Sequence, residues 1–327
     1  MILRFFKKNF VLQLVLFFLF AVLLWLDGFI FPKAAAENWI NTPFYRYIIH
    51  FFGQLPAIIG VLFAFFLLLG QALILNQTII NTKLLPRNTF MLAFIYVLLM
   101  SYAPESLRLH PVLIANYFLI LSFRTIINIY TLKEPYIETF NAGLLFTIAS
   151  LIYLPSLLFI IFLGSLFLIY RIYDIRVWII SVVGVITPFL FIFTYYFWFD
   201  KTMVFFEEYV FYFKNIQSFD FENQTSYYVF GAVISFLTLI SLGKIVGDSP
   251  SKVINIRKML GLIIAFVFIT LITYLYAGSF SPFHVMISFI PISIMVTYFF
   301  MYSRRKILSE IFVTMLIILI LAGKFIA

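Results

Sequence analysis

Two carboxylates close to the end of the first apolar segment are the residues whose type and position best suit catalysis. Asp27 directly follows that segment, and Glu37 lies ten residues further on. A carboxylate at a membrane boundary is able to act as a general base or to hold a metal ion while it faces a lipid-linked substrate. We therefore take Asp27 and Glu37 as candidate catalytic residues. The alternative is that both are ordinary solvated loop charges.

Four further side chains are candidates for substrate binding. Arg46 stands between two tyrosines at the start of the second apolar segment, where its planar guanidinium suits a phosphate. The alternative role for Arg46 is to anchor lipid headgroups. Glu105 and Arg108 lie three residues apart in a tight loop that leads to His110. These two either pair with each other or face a cavity formed by the outer loops.

The composition requires lipid around these candidates. Of 327 residues, 64% are hydrophobic and 11% are charged, and the mean hydropathy is +1.10. A soluble domain carries roughly 25% charged residues. The chain has no Cys, which excludes disulfides, thiolate metal sites and Cys nucleophiles. The sequence indicates no cofactor, and it gives no support for a divalent metal.

The basic residues indicate membrane orientation and not a nucleic-acid partner. The net charge is +9, but the Lys and Arg residues stand in short clusters between apolar segments. Arg4, Lys7 and Lys8 place the N-terminus in the cytoplasm by the positive-inside rule. The same rule predicts about 11 spans in one integral membrane domain over residues 1–327, with outside loops at 27–46 and 200–226. We expect a multi-pass protein of the bacterial inner membrane.

The apolar stretch at residues 140–171 decides how the later spans are threaded, because it is long enough for one tilted helix or for two short ones. Pro155 lies near its middle, where it removes a backbone donor and disfavours helix at the preceding residue. A single span would also place the basic segment 244–258 outside the cell, which the positive-inside rule disfavours. The sequence therefore predicts a broken pair, with residues 140–154 running outward and 155–170 running back.

Two other patterns bear on function. Residues 205–215 carry aromatics on several sides together with acidic residues, which is typical of a helix that lies on the outer leaflet.

No predicted span has a charge near its middle. This argues against an ion-coupled transporter, because such proteins usually bury an ionisable residue at the midplane.

The order of features resembles the membrane module of the GT-C superfamily of glycosyltransferases, which use polyprenyl-phosphate-linked sugars. The likeness covers about the first 200 residues. It begins with a basic N-terminus, one span, an outside loop with an acidic residue, and a second span that starts with PFYRYI. It continues through the segment LLPRNTFMLAFIYVLLMS and the Leu-rich, Pro-containing stretch 142–162. It implies that Asp27 or Glu37 deprotonates or positions the acceptor and that Arg46 meets the donor phosphate. The usual paired acidic signature and a large soluble C-terminal domain are both absent. In its Phe-, Ile- and Asn-rich style the whole chain is also similar to an uncharacterised multi-pass inner-membrane family of Bacteroidota.

These observations lead to three hypotheses for an all-α polytopic helix bundle with a GT-C-like arrangement. The first is a glycosyltransferase, active or degenerate, that uses a polyprenyl-phosphate-linked sugar at the outer face of the membrane for envelope glycan assembly. The second is a non-catalytic membrane subunit or scaffold that packs against partner membrane proteins. The third is a lipid or small-solute transporter. The expected partners under the first hypothesis are membrane lipids and the lipid-linked sugar.

Overall fold

The computed structural model describes residues 10–36, 42–85, 89–204, 206–207, 225–277, 282–303 and 306–326. Within these ranges every regular element is helical. The α-helices are α1 (Phe10–Ile30), α2 (Pro43–Gly53), α3 (Ala57–Asn81), α4 (Met91–Met100), α5 (Pro111–Ile129), α6 (Tyr136–Ile152), α7 (Ile160–Tyr170), α8 (Ile175–Trp198), α9 (Thr225–Asp248), α10 (Ile254–Ala277), α11 (Pro282–Tyr302) and α12 (Lys306–Ile326). Short 3₁₀ helices cover Pro104–Ser106, Leu154–Phe159 and Ser249–Ser251.

The length and hydropathy of the helices make the chain a multi-pass membrane protein. In the described part of the chain, 7 helices are long and apolar enough to cross a bilayer, and they lie in α1, α3, α5, α8, α9, α10 and α11. Shorter apolar helical segments cover Met91–Met100, Tyr136–Ile152, Leu154–Tyr170 and Ser309–Leu321. Large apolar side chains are exposed along α1 and α8, as expected of faces that contact lipid.

Contacts between helix termini define one end of the bundle, which we call the Tyr170 end. The Lys258 ammonium, near the start of α10, donates to the Tyr170 carbonyl at 3.1 Å and lies 4.3 Å from the centre of the Tyr130 ring. The Tyr136 hydroxyl, at the start of α6, donates to the carboxylate of Asp174, which caps α8. The ends of α5 and α7 and the starts of α6, α8 and α10 therefore lie together.

The opposite end, which we call the His284 end, is defined in the same way. The Tyr153 hydroxyl, just after α6, lies 2.5 Å from Nδ1 of His284 near the start of α11. The Thr42 hydroxyl, which caps α2, donates to the carbonyl of Ile152 at 3.0 Å. Gly28 in the last turn of α1 lies against the residues that lead into α5. The end of α1, the end of α6 and the starts of α2, α5 and α11 thus lie at the same end of the bundle.

The stretch at 140–171 forms two helices with a break between them. Helix α6 ends at Ile152, Tyr153 is extended with φ −138° and ψ 100°, and the 3₁₀ helix that contains Pro155 leads into α7. Because the start of α6 and the end of α7 both lie at the Tyr170 end, the chain reverses direction at the break. Arg171 then ends α7 in the left-handed region, with φ 58°.

Two glycines allow α6 and α8 to run parallel in close contact. A Cβ on Gly143 of α6 would lie 2.5 Å from the Ser181 carbonyl oxygen, and a Cβ on Gly184 of α8 would collide with the Phe140 carbonyl. The Thr147 hydroxyl of α6 donates to a carbonyl of α8 at 2.9 Å. Small residues that bring backbones together are the main source of helix packing in lipid, where burial of apolar side chains gives little net gain.

A buried polar network holds the centre of the bundle. The Tyr96 hydroxyl of α4 donates to the side-chain oxygen of Gln71 in α3 at 2.8 Å, and the Gln71 amide donates to the Leu113 carbonyl of α5 at 2.6 Å. The Asn116 amide of α5 donates to the Met286 carbonyl of α11 at 3.1 Å. Since an unpaired polar group in an apolar interior costs free energy, these bonds fix how α3, α4, α5 and α11 are aligned.

The second apolar segment differs from its predicted bounds. The sequence predicts one span over residues 48–75 with Pro56 inside it, whereas α2 ends at Gly53 and α3 begins at Ala57. Pro56 lacks an N–H and fixes its own φ, so it starts α3 and cannot continue α2. Helix α2 exposes Phe44, Tyr47 and Phe51 on one side, which is the pattern of a short amphipathic helix at the membrane interface.

Candidate functional site

The loop of residues 103–110 connects α4 to α5 at the His284 end and holds three of the candidate side chains. Pro104 begins its 3₁₀ helix, and the Ser106 hydroxyl donates back to the Ala103 carbonyl. Leu107 and Leu109 are buried beneath the loop. These anchors leave Glu105 and Arg108 half-buried at its outer side.

Glu105 and Arg108 make different contacts from those expected of a simple ion pair. The Glu105 carboxylate accepts a hydrogen bond from the hydroxyl of Tyr227, in the first turn of α9. The Arg108 guanidinium donates through Nε to the backbone carbonyl of Glu105 at 3.3 Å and lies 5.7 Å from the centre of the Phe283 ring. The loop therefore presents a carboxylate tied to α9 and a cation that stands over the start of α11.

His110 has a structural role in this loop. It is the N-cap of α5, and its Nδ1 accepts a hydrogen bond from the Leu113 N–H at 3.1 Å. Its ring is 1% exposed and lies 4.8 Å from the Phe283 ring. Burial, together with the nearby Arg108 guanidinium, lowers the pKa of His110 to about 3. At neutral pH the imidazole is thus uncharged, with Nδ1 unprotonated as the cap requires.

Acidification is expected to destabilise the protein through His110. The unfolded chain takes up a proton near pH 6.5 while the folded chain does so only near pH 3, so stability falls as the pH drops below 6.5. From pH 7 to pH 5 this loss amounts to roughly 2 kcal/mol. His110→Asn keeps a good capping acceptor without a titrating group. Thermal unfolding in detergent across this pH range should show a smaller acid loss for His110→Asn than for the native chain, and equal losses would contradict the assignment.

A cavity of about 930 Å³ lies between α9, α10 and α11, next to this loop. Tyr102 and Tyr227 line it at the His284 end, where the Tyr102 ring stacks on that of Phe230 at 4.6 Å. Two of its lining residues, Leu239 and Phe268, are 66% and 57% exposed. The cavity therefore opens sideways, towards the surface that contacts lipid.

The aromatic residues around His284 border the same cavity. The Tyr274 ring lies 4.7 Å from the imidazole of His284 in an edge-on arrangement, and the Tyr274 hydroxyl donates to Ser288 at 3.2 Å. Tyr274 and Ser288 both line the cavity. The sequence identifies His284 only as a residue near a span end, because nothing in its local pattern indicates contact with Tyr153 more than a hundred residues earlier.

The predicted site residues that the structure describes lie at one end of the bundle but do not form one cluster. Asp27 and Arg46 are exposed, and their helices, α1 and α2, both reach the His284 end. None of Asp27, Arg46, Glu105, Arg108 and His110 lines the cavity between α9, α10 and α11, although Glu105 is bonded to Tyr227, which does. Glu37 lies outside the described residues. Glu105, Arg108 and His110 share one loop, and Tyr227 is the neighbour that sequence reasoning missed.

The part of the chain described by the structure contains no group of three or more His, Asp or Glu side chains arranged to hold a metal ion. What it offers at the His284 end is a loop with a carboxylate and a guanidinium, and an apolar cavity whose lining residue Tyr227 bonds to that carboxylate. Such a set is able to bind an anionic group that carries a hydrocarbon chain.

Comparison of the chain with models of known protein families, with curated protein sequences and with solved structures finds no match.

Proposed function

We propose that the chain is a lipid-linked-sugar glycosyltransferase that acts at the outer face of the bacterial inner membrane, and that the His284 end faces outward. The observation that carries the proposal is the bond from Glu105 to Tyr227, which lines a cavity that opens towards lipid. Arg108 lies in the same loop as Glu105. An anionic lipid that enters from the bilayer would meet the Arg108 guanidinium at the level of the headgroups. A planar guanidinium binds phosphate oxygens through two parallel hydrogen bonds.

The proposal that the His284 end faces outward assumes that the chain crosses the membrane eleven times and that its N-terminus lies in the cytoplasm. The basic residues of the Tyr170 end support it, since Lys258, Lys252 and Lys83 all lie at that end or in the loops that join its helices. Cytoplasmic loops carry the excess of Lys and Arg. In this arrangement, which we propose is GT-C-like, the crossings are completed by the short helices α6, α7 and α12 and by residues 89–103, of which α4 is the helical part.

The proposed reaction transfers a sugar from polyprenyl phosphate to an acceptor hydroxyl. The bond between the anomeric carbon and the phosphate oxygen breaks, a bond from that carbon to the acceptor oxygen forms, and the hydroxyl proton passes to a carboxylate. Asp27 or Glu37 is the proposed base, and Arg46 and Arg108 are the proposed phosphate-binding residues. Glu105 serves in this scheme as a positioning residue, because its carboxylate is engaged by Tyr227.

Neutralising the proposed bases tests the function. Asp27→Asn or Glu37→Gln is expected to abolish one envelope glycan, because each change removes the proton acceptor and keeps the size of the side chain. The measurement is the profile of envelope glycans and lipid-linked sugars in cells that express each variant at the native level. Glu134→Gln is the matched control, because Glu134 is an exposed carboxylate at the opposite end.

The outcomes separate the hypotheses. Loss of a specific glycan with accumulation of its lipid-linked donor in one variant identifies the base. The transferase hypothesis would be overturned if both single variants and the double variant kept their glycans unchanged. A defect that appears only when the whole protein is deleted would then favour the scaffold hypothesis. Expression of each variant at the native level, as in the measurement above, separates loss of the reaction from loss of folded protein.

A further inference from the structure

Helices α9 and α10 form a hairpin with space between its two arms. The 3₁₀ helix Ser249–Ser251 joins them at the Tyr170 end, and both pack along α11, whereas their direct contacts with each other are few. The cavity between the three helices occupies this space, and the exposed side chains of Leu239 and Phe268 stand on its two sides. The helices therefore form a groove that is open to the bilayer, which we call the α9–α11 groove.

The volume of the groove suits a helix better than a single lipid chain. On α10 and α11 its lining covers residues 267–274 and 285–292, about two helical turns or roughly 11 Å. Two turns of an α-helix about 10–12 Å wide fill roughly 850–1,200 Å³, and the cavity volume is about 930 Å³. One hydrocarbon chain, about 5 Å wide, fills only roughly 200 Å³ over the same length. A single lipid tail would leave most of the groove empty.

Small side chains form the α9 wall of this groove. Gly231, Ser235 and Thr238 line it at spacings of four and three residues, which places them on one helix face. A Cβ on Gly231 would meet no atom within 4 Å. Small residues allow helix backbones to approach closely in lipid, as Gly143 and Gly184 do between α6 and α8. On α9 the same kind of face is present, but no described helix lies against Gly231.

Ser235 is a polar group for which a hydrocarbon chain offers no partner. Its side chain is exposed in the groove, and its hydroxyl makes no hydrogen bond to any residue that the structure describes. In contrast, the Thr238 and Thr270 hydroxyls donate to carbonyls of their own helices at 2.8 and 2.6 Å. A hydroxyl in the bilayer interior gains free energy from an acceptor on a neighbouring helix. A helix in the groove supplies such an acceptor, and a lipid tail does not.

We propose that the α9–α11 groove binds one membrane-spanning helix of a different protein. The described residues that line it include no charged side chain, so the inserted face of that helix is uncharged and carries small or hydroxyl-bearing residues opposite Gly231 and Ser235. A second copy of this chain fits less well. Two-fold pairing would set groove against groove, and a head-to-tail arrangement would build rings or filaments.

This proposal does not rest on the proposed transferase reaction. Glu105 and Arg108 lie outside the lining of the groove, so a helix bound there does not occupy the loop that carries them. Variants of the groove therefore test the partner helix, whereas variants of Asp27 and Glu37 test the reaction. Each proposal can fail while the other holds.

Two pairs of variants test the groove. Gly231→Leu fills it, and Gly164→Leu is the control, because a Cβ at Gly164 of α7 also meets no atom within 4 Å and this residue does not line the groove. Ser235→Ala removes the unbonded hydroxyl. Ser165→Ala is its control, because the Ser165 hydroxyl donates to the carbonyl of Phe162 in its own segment at 2.8 Å.

The experiment is photo-crosslinking of the full chain in native host cells, with benzoylphenylalanine in place of Leu239. The control position is Leu190, which is exposed on α8 and does not line the groove. Mass spectrometry of the purified chain identifies what is attached. We expect Leu239, but not Leu190, to crosslink to a membrane-spanning segment of one other protein.

The variants give this crosslink its meaning. Gly231→Leu should reduce the yield at least tenfold, because the new side chain overpacks the groove. Ser235→Ala should reduce it about threefold, the usual effect of one interhelical hydrogen bond in a bilayer. Both control variants should crosslink as the native chain does. A synthetic peptide of the crosslinked segment should then bind the purified chain in nanodiscs with the same ranking of variants.

Other occupants give different products, and each would overturn the proposal. Attachment of phospholipid alone would identify an ordinary lipid site. A crosslink between two copies of this chain would identify self-association, and one within a single chain would show that another of its own segments fills the groove. A protein crosslink of equal yield in Gly231→Leu and Gly164→Leu would place the partner elsewhere. Ser235→Ala keeps the test decisive if Gly231→Leu does not fold, because it removes only an exposed hydroxyl.

Discussion

Replacement of Arg108 by alanine is expected to reduce glycan transfer by roughly 10²–10³-fold, the effect of removing one preorganised donor from a developing anion. The leaving group of the proposed reaction is a phosphate, so negative charge grows on its oxygens as the sugar departs. Arg108 is a half-buried cation in the loop before α5, where it bonds to the backbone carbonyl of Glu105 and lies over the Phe283 ring. A fixed cation requires little reorganisation during the reaction.

The measurement is transfer of radiolabelled sugar from a polyprenyl-phosphate donor in membranes that contain each variant. Arg108→Lys should retain part of the activity, because the ammonium keeps the charge but lacks the planar fork. Arg176→Ala is the control, since Arg176 is an exposed cation at the Tyr170 end. A fall in kcat with little change in KM would support a role in the transition state. Full activity of Arg108→Ala in folded protein would remove Arg108 from the site.

Gly184→Ala is expected to lower the free energy of unfolding by about 3 kcal/mol, at the upper end of the usual cost of overpacking. In an exposed helix interior the same change stabilises by about 1 kcal/mol, because alanine is the better helix former. The new methyl group at position 184 meets the backbone carbonyl of Phe140, which cannot rotate away as a side chain would. Helices α6 and α8 must therefore move apart, which also stretches the bond from Thr147 to the Val185 carbonyl.

Thermal unfolding in detergent, monitored by size-exclusion chromatography, measures this decrease in the free energy of unfolding. Gly164→Ala is the control, because a Cβ at that position meets no atom within 4 Å. Gly143→Ala should destabilise by a similar amount, and the double variant by less than the sum, since the first change already separates the two helices. Native-like stability of Gly184→Ala would show that the two helices are not in close contact.

Apolar runs and prolines locate most helices in this chain, but they do not locate their neighbours. The break after Ile152 follows from Pro155, and the separation of α2 from α3 follows equally from Pro56. The contact of Glu105 with Tyr227 joins residues 122 positions apart, and no local pattern indicates it. Lipid is as apolar as the bundle interior, so hydrophobic periodicity does not separate the buried faces of these helices from the lipid-facing ones.

The candidate site illustrates the same limit. Glu105, Arg108 and His110 are recognisable from the sequence because charged and titratable residues are rare in it. Their roles are not recognisable in the same way. His110 caps α5, and the cavity is formed by α9, α10 and α11, whose lining segments are mainly apolar. The pairing of Asp27 or Glu37 with a substrate remains a prediction, based on resemblance and on position along the chain.

The short helix α4 has a consequence for how the protein is made. All ten of its residues are buried, and at about 15 Å it covers only half of the hydrocarbon core. Its partners include α3, which precedes it, and α11, which ends at Tyr302. At 5–20 residues per second, ribosomes need roughly 10–40 s to complete the intervening chain. During synthesis α4 therefore waits beside α3 without its final partner, in contact with lipid or with an insertase, and assembly of the bundle centre is a late step.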